Sequence, residues 1–174
     1  MKLNKEYKEI ARDILEDKNY ELLKNDVHHG SNRYAHCKRV AYLSYLMAKL
    51  FKGNCHETVR AGLLHDFFYG NTHDVENSYF NHPRTSINNA KEYFQINKNE
   101  EDIIKTHMYH YALLRDLIPF GKKEVKSKEL KPTSKEGKIV CFSDLLVSVF
   151  ECGIFKVRYS LSLYLIFVIN NIRY

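Results

Sequence analysis

Residues 33–51, RYAHCKRVAYLSYLMAKLF, run for nineteen positions without a glycine or a proline. Tyr34, Cys37, Val40, Ala41, Ser44, Met47 and Ala48 recur at helical spacing, and Tyr42, Leu43, Leu46 and Leu50 widen the same face. Such a segment is a long helix with a broad apolar side, and it needs other elements to cover that side. The rest of the chain offers more of the same. Glycine and proline number only 7 and 3 in 174 residues, so breakers are scarce. Hydrophobic residues make up 44%, enough for a real core in one domain of this length. Tryptophan is absent, but 13 tyrosines and 10 phenylalanines supply aromatic volume. No stretch asks for a sheet. The expected fold is all-α, several helices around one core, with residues 1–174 as a single domain.

The other elements follow from spacing and breakers. Leu3, Tyr7, Ile10, Ile14 and Leu15 predict an amphipathic helix over 3–24. A break at Asn25–Asn32 follows, with Ser31 or Asn32 as the cap of the 33–51 helix. Gly53 and Asn54 end that helix, and the next runs from about His56 to Phe68, stopping at Gly70–Asn71. Asn81-His82-Pro83 opens another, with proline where its missing N–H costs nothing. Residues 100–115 and Lys135–Glu151 add two more, and about 155–172 reads as a closing helix.

Composition narrows the partners. The net charge is +6, but residues 121–138 alone hold seven lysines and three glutamates. That stretch reads as a solvated loop. A phosphate-attracting rim or a nucleic-acid contact is the other reading, and the lack of interleaved aromatics argues against a single-strand surface. Cys37, Cys55, Cys141 and Cys152 form no CxxC pair, so a zinc finger is not expected and free thiols in a cytoplasmic setting are. The start, MKLNKEYKEI, carries no apolar signal region. The apolar core of YSLSLYLIFVIN, Leu161 to Ile169, is too short to span a bilayer.

Polar groups inside apolar helices carry the functional signal. In AGLLHDFFYG, His65 and Asp66 stand side by side after an apolar run, where burial is costly without a partner. Asp144 interrupts IVCFSDLLVSVF in the same way. All nine histidines lie between His28 and His110, and His36, His65, His107 and His110 sit on the predicted helices. One histidine on such a helix is ordinarily a hydrogen-bonded core residue. Several of them, with two carboxylates, suit a divalent cation: Zn, Fe, Mn, Ni or Co for mixed imidazole and carboxylate ligands, Mg or Mn where carboxylates dominate.

His36, the doublet His65-Asp66 and the distant Asp144 resemble the H…HD…D signature of the HD-domain metal-dependent phosphohydrolases, of bacterial type. RYAHCKRVAYLSYLMAKLF is similar to that family's first ligand helix and AGLLHD to its second, and the resemblance spans roughly residues 28–150. It implies an all-α fold with His36, His65, Asp66 and Asp144 on one metal ion in the helical core. Some members hold a second ion through a histidine after the doublet, often in an HP pair, and another one helix later. His82-Pro83 and His107 occupy those places here, Asp66 would bridge, and His110, read as one turn from His107 on the same helix, is the substitute.

The resemblance further implies hydrolysis of a small-molecule phosphoester, commonly in a nucleotide. Arg33 and Arg39, three residues either side of His36, are candidate phosphate-binding cations, with Arg84 and Lys105 as further ones. Many relatives carry an acid or lysine after the doublet; Phe67, Phe68, Tyr69, Gly70 and Asn71 stand there instead. The general acid is therefore unassigned, with Asp74 or His73 as candidates. The Gly-Tyr-Pro motif of the cyclic-di-GMP-degrading subgroup is absent. The alternative to an enzyme is a non-catalytic, metal- and nucleotide-binding regulatory HD domain. His28-His29-Gly30, ahead of the first ligand helix, reads as loop.

Overall fold

A computed structural model describes residues 4–28, 31–70, 80–117 and 127–151. Its elements are α1 (Lys5–Leu15), α2 (Lys18–Glu21), a 3-10 turn (Leu22–Asn25), β1 (Val27–His28), β2 (Ser31–Asn32), α3 (Arg33–Phe51), α4 (Cys55–Leu64), α5 (His82–Tyr93), α6 (Lys98–Thr106), α7 (Tyr109–Leu117), a second 3-10 turn (Ser127–Leu130) and α8 (Lys135–Glu151). The fold is all-α, as the sequence predicts. Among the described residues the one addition is a minimal antiparallel ribbon, Val27 opposite Asn32, that turns the chain into α3.

Side-chain caps set most helix starts. Asn4, Asp17, Asn32, Asn54 and Asn97 each accept a backbone N–H in the first turn of the helix that follows, and Asn97 with Glu100 forms a reciprocal capping box. Asp17 also explains one departure from expectation. The predicted 3–24 helix is interrupted, because the Asp17 side chain accepts from Asn19 and Tyr20 at 2.8 and 3.0 Å and starts a new helix.

Two further boundaries move, and both matter for the site. The helix expected to reach Phe68 ends at Leu64, with His65 as its cap. Phe67 and Phe68 are fully buried on different partners: Phe67 lies against Tyr20, Tyr93 and Phe94, and Phe68 against Arg33 and His82. The helix expected over 100–115 breaks at His107–Met108. Thr106 Oγ1 donates to Asp102 O and His107 Nδ1 faces Ile104 O at 2.7 Å, so side chains take the last carbonyls of α6. His107 and His110 therefore stand on either side of a break and do not share one helix.

The core joins α1 (Tyr7, Ala11, Ile14), α3 (Val40, Ala41, Tyr45), α4 (Val59, Leu63, Leu64), α6 (Ile103, Ile104) and α8 (Val140, Val147). Helices α3 and α4 approach closely. A Cβ on Gly62 would lie 2.9 Å from Ala41 Cα, so only glycine permits this contact. Helices α3 and α8 run antiparallel, with His36 near Glu151 at one end and Lys135 near the Phe51 carbonyl at the other. No helix among the described residues is long and apolar enough to cross a membrane. The predicted 155–172 helix, Cys152 and residues 121–126 of the lysine-rich stretch lie outside the described residues.

Candidate metal centre

Five pieces of the fold deliver the six candidate ligands. His36 stands one turn into α3, His65 and Asp66 follow the last turn of α4, His82 opens α5, His107 ends α6, and Asp144 lies midway along α8. All six are 5% exposed or less. The close α3–α4 contact at Gly62 brings the first two of these pieces together.

The six side chains converge. His36 Nε2 lies 3.1 Å from Asp144 Oδ1, and His65 Nε2 lies 3.7 Å from the same oxygen. Asp66 faces two ways. Its Oδ2 is 3.6 Å from His65 Nε2, while its Oδ1 is 3.2 Å from His82 Nε2 and 3.6 Å from His107 Nε2. The His82 and His107 ε-nitrogens are 3.0 Å apart. Ligand atoms of His36, His65 and Asp144 all lie within 4.8 Å of one another, and so do those of His65, Asp66 and His107.

The tautomers suit a cation. His36 Nδ1 faces Glu151 Oε2 at 2.8 Å, His65 Nδ1 faces Gly62 O at 2.9 Å, and His107 Nδ1 faces Ile104 O. A neutral ring that donates from Nδ1 leaves its Nε2 lone pair for a metal. His65 Nε2 is the sharpest case. It is buried without a hydrogen-bond partner, which costs about 1–3 kcal/mol unless something else satisfies it. The donor set of imidazoles and carboxylates fits a divalent ion.

Charge distribution agrees. Burial opposes a charge on His36, but Asp144 and Glu151 outweigh it and raise the imidazole to about 10. A proton and a divalent cation compete for the same lone pair, so the carboxylates that favour one favour the other. Burial, reinforced by His65 and His82, lowers His107 to about 3 and keeps that ring neutral at physiological pH. Burial alone would raise Asp144, yet the hydrogen bond from His36 and the nearby histidines hold it below the ordinary carboxylate range, so it stays ionised.

Other predicted residues fall elsewhere. His110 is buried, its Nδ1 3.1 Å from His107 O and 3.7 Å from Cys141 Sγ, and burial lowers its pKa. Arg33 is 1% exposed and donates to Asp26 and to the carbonyls of Phe68 and Gly70. Arg39 is paired with Glu151. Arg84 and Lys105 are exposed. His73 and Asp74 lie outside the described residues, as does His29; of His28 only the backbone, in β1, is described. Glu151 is the residue that sequence reasoning missed. It lies seven positions after Asp144, two helical turns along the same face, and that spacing was the available signal.

No curated protein and no solved structure matches the chain. A family does: the HD domain, over residues 33–147, a span that contains all six converging side chains and leaves Glu151 just beyond it. The chain is a member of the HD domain family.

Proposed function

We propose that the protein is a metal-dependent phosphohydrolase that cleaves a phosphoester of a nucleotide or related small molecule. One observation carries this reading. Asp66 divides its two oxygens between His65 on one side and His82 and His107 on the other. That arrangement supports two adjacent cation positions, His36, His65, Asp66 and Asp144 at one and Asp66, His82 and His107 at the other. Divalent ions, if held there, would supply an activated water and neutralise charge on the phosphoryl oxygens. The chain's own part is to keep His107 neutral, to hold Asp144 ionised, and to fix the six groups on five separate pieces of the fold. Arg39, Arg84 and Lys105 are the cations within the family-matched span that we assign as candidates for substrate phosphate.

The experiment is metal content per chain on the wild type and Asp66→Ala, followed by a phosphoester screen with the metal found. One or two ions lost in the variant, with turnover lost alongside, support the reading. Turnover unchanged in Asp66→Ala would sink it. Phe67 and Phe68, buried where many relatives carry an acid or lysine, favour a second reading: a regulatory HD domain that holds metal and nucleotide without turnover. Metal retained with no hydrolysis of any phosphoester would select it.

A further inference from the structure

Arg33 stands three residues before His36, a spacing that suggests a phosphate ligand. Its surroundings give it another task. It is among the largest fully buried side chains of the chain, and its fork points inward. Nη1 donates to Asp26 Oδ2 and to Phe68 O, both at 2.7 Å, and Nη2 donates to Gly70 O at 3.0 Å. The guanidinium carbon lies 3.8 Å from the centre of the Phe68 ring, a stacked cation–π contact away from water. Arg33 therefore holds both the backbone and the side chain of the segment that leaves the His65-Asp66 doublet.

Phe68 passes that constraint on. Its N–H donates to Asp66 O at 2.9 Å, a tight turn directly after the doublet. Its ring lies 5.1 Å from the His82 ring at an interplanar angle of 31°. His82 in turn presents Nε2 to Asp66 Oδ1 at 3.2 Å and to His107 Nε2 at 3.0 Å. An unbroken run of contacts thus leads from Asp26 through Arg33 and Phe68 to the imidazole on the outer side of Asp66. His36, on the same turn of α3 as Arg33, faces Asp144 on the inner side.

We propose that Arg33 and Phe68 form a clamp that sets the position of the His82 imidazole, so that filling of the outer cation position depends on them and filling of the inner one does not. Arg33 is a positioning residue in this scheme. The inference rests on the two-ion form of the proposed function and names what controls its second half. Lysine cannot replace Arg33, because a point charge on a flexible stem neither stacks on Phe68 nor reaches three acceptors in a plane. Tyrosine can replace Phe68, because it keeps the ring.

The test is a calorimetric titration of the metal-stripped full chain with Mn²⁺, on the wild type, Phe68→Ala, Phe68→Tyr and Arg33→Lys, with His82→Ala as the benchmark for loss of the outer ion. We expect two ions in the wild type and in Phe68→Tyr. In Phe68→Ala and Arg33→Lys the first affinity is kept and the second falls about 10–100-fold, the usual effect of removing a support behind a ligand. Equal loss of both ions, or retention of both at wild-type affinity in folded Phe68→Ala, overturns the clamp. A second readout needs no metal: the His82 ring signals in the histidine NMR spectrum, displaced by the stacked Phe68 ring, move in Phe68→Ala and stay in Phe68→Tyr. Unmoved signals in Phe68→Ala also overturn it. A wild type that takes one ion overturns the two-ion reading, and the His82 signals then decide the clamp by themselves.

Discussion

Glu151 reaches from the last residue of α8 to the δ-nitrogen of His36, 2.8 Å away and 115 positions earlier in the chain. The contact orients the His36 ring, with Nδ1 toward Glu151 and Nε2 toward Asp144. Arg39 holds the other Glu151 oxygen, so the carboxylate is itself oriented. Burial disfavours its charge, but His36 and Arg39 outweigh burial and keep Glu151 ionised below the ordinary range. Replacing Glu151 by glutamine keeps the shape and removes the charge. The expected outcome is metal affinity lowered about 10-fold or more, with the ion count unchanged at saturation. Competition against a chelating dye measures it.

Metal removal should lower thermal stability. An ion that binds only the folded chain adds about 2.7 kcal/mol at a hundred times its dissociation constant. We expect the melting temperature to rise with added Mn²⁺ in the wild type and to stay put in His65→Ala. A rise of equal size in both would place the stabilising ion elsewhere.

His107 and His110 separate cleanly. His107 Nε2 faces Asp66, whereas the described contacts of His110 run through Nδ1 to a carbonyl and a thiol. His107→Ala should lose one ion, and His110→Ala should keep the wild-type count. Elemental analysis of the two variants decides between them.

Gly62→Ala tests the α3–α4 contact. The added methyl carbon would sit 2.9 Å from Ala41 Cα, a backbone atom that cannot rotate away. The helices must separate, which costs about 1–3 kcal/mol. Because His65 accepts its orientation from the Gly62 carbonyl, metal affinity should fall as well. Denaturant unfolding of the metal-free chain, paired with a metal titration, reads both effects.

Two phenols hold the backbone around the doublet. Tyr20 donates to Leu63 O at 2.7 Å, and Tyr69 donates to Asn19 O at 2.9 Å. Burial raises Tyr20 well above the ordinary tyrosine range and Tyr69 to about 12. Both values are raised, so the folded chain holds these protons more tightly than the unfolded chain. The Tyr69 contribution is whole below the ordinary tyrosine value of 10.0 and is lost as pH climbs through about 12. Stability should fall over that window, and less steeply in Tyr69→Phe. Parallel unfolding curves for the two proteins across the window would assign the loss to other groups.

Much of the site is legible in the chain itself. Helices announce themselves by spacing, and His65-Asp66 and Asp144 stand out because carboxylates and imidazoles are costly within apolar runs. His82 is marked by the proline beside it, at the start of a helix that the structure keeps. The misread boundaries share one cause. Local spacing cannot show that Phe67 and Phe68 bury in different directions, or that Thr106 and His107 take the carbonyls that end α6. Glu151 was within reach of a seven-residue rule, but nothing on its own helix says which histidine it meets.

The class of fold and the chemical types gathered at its centre can be read along the chain, because periodicity and misplaced polar groups are local properties. Which groups face each other is a matter of how the helices pack. The direction of each Nε2, the split of Asp66 between two sets of histidines, and the stacking of Arg33 on Phe68 all depend on residues tens of positions apart. Contacts of that range form only when separate helices pack. Their geometry is then set by sterics such as the Gly62–Ala41 approach, and no single segment carries it.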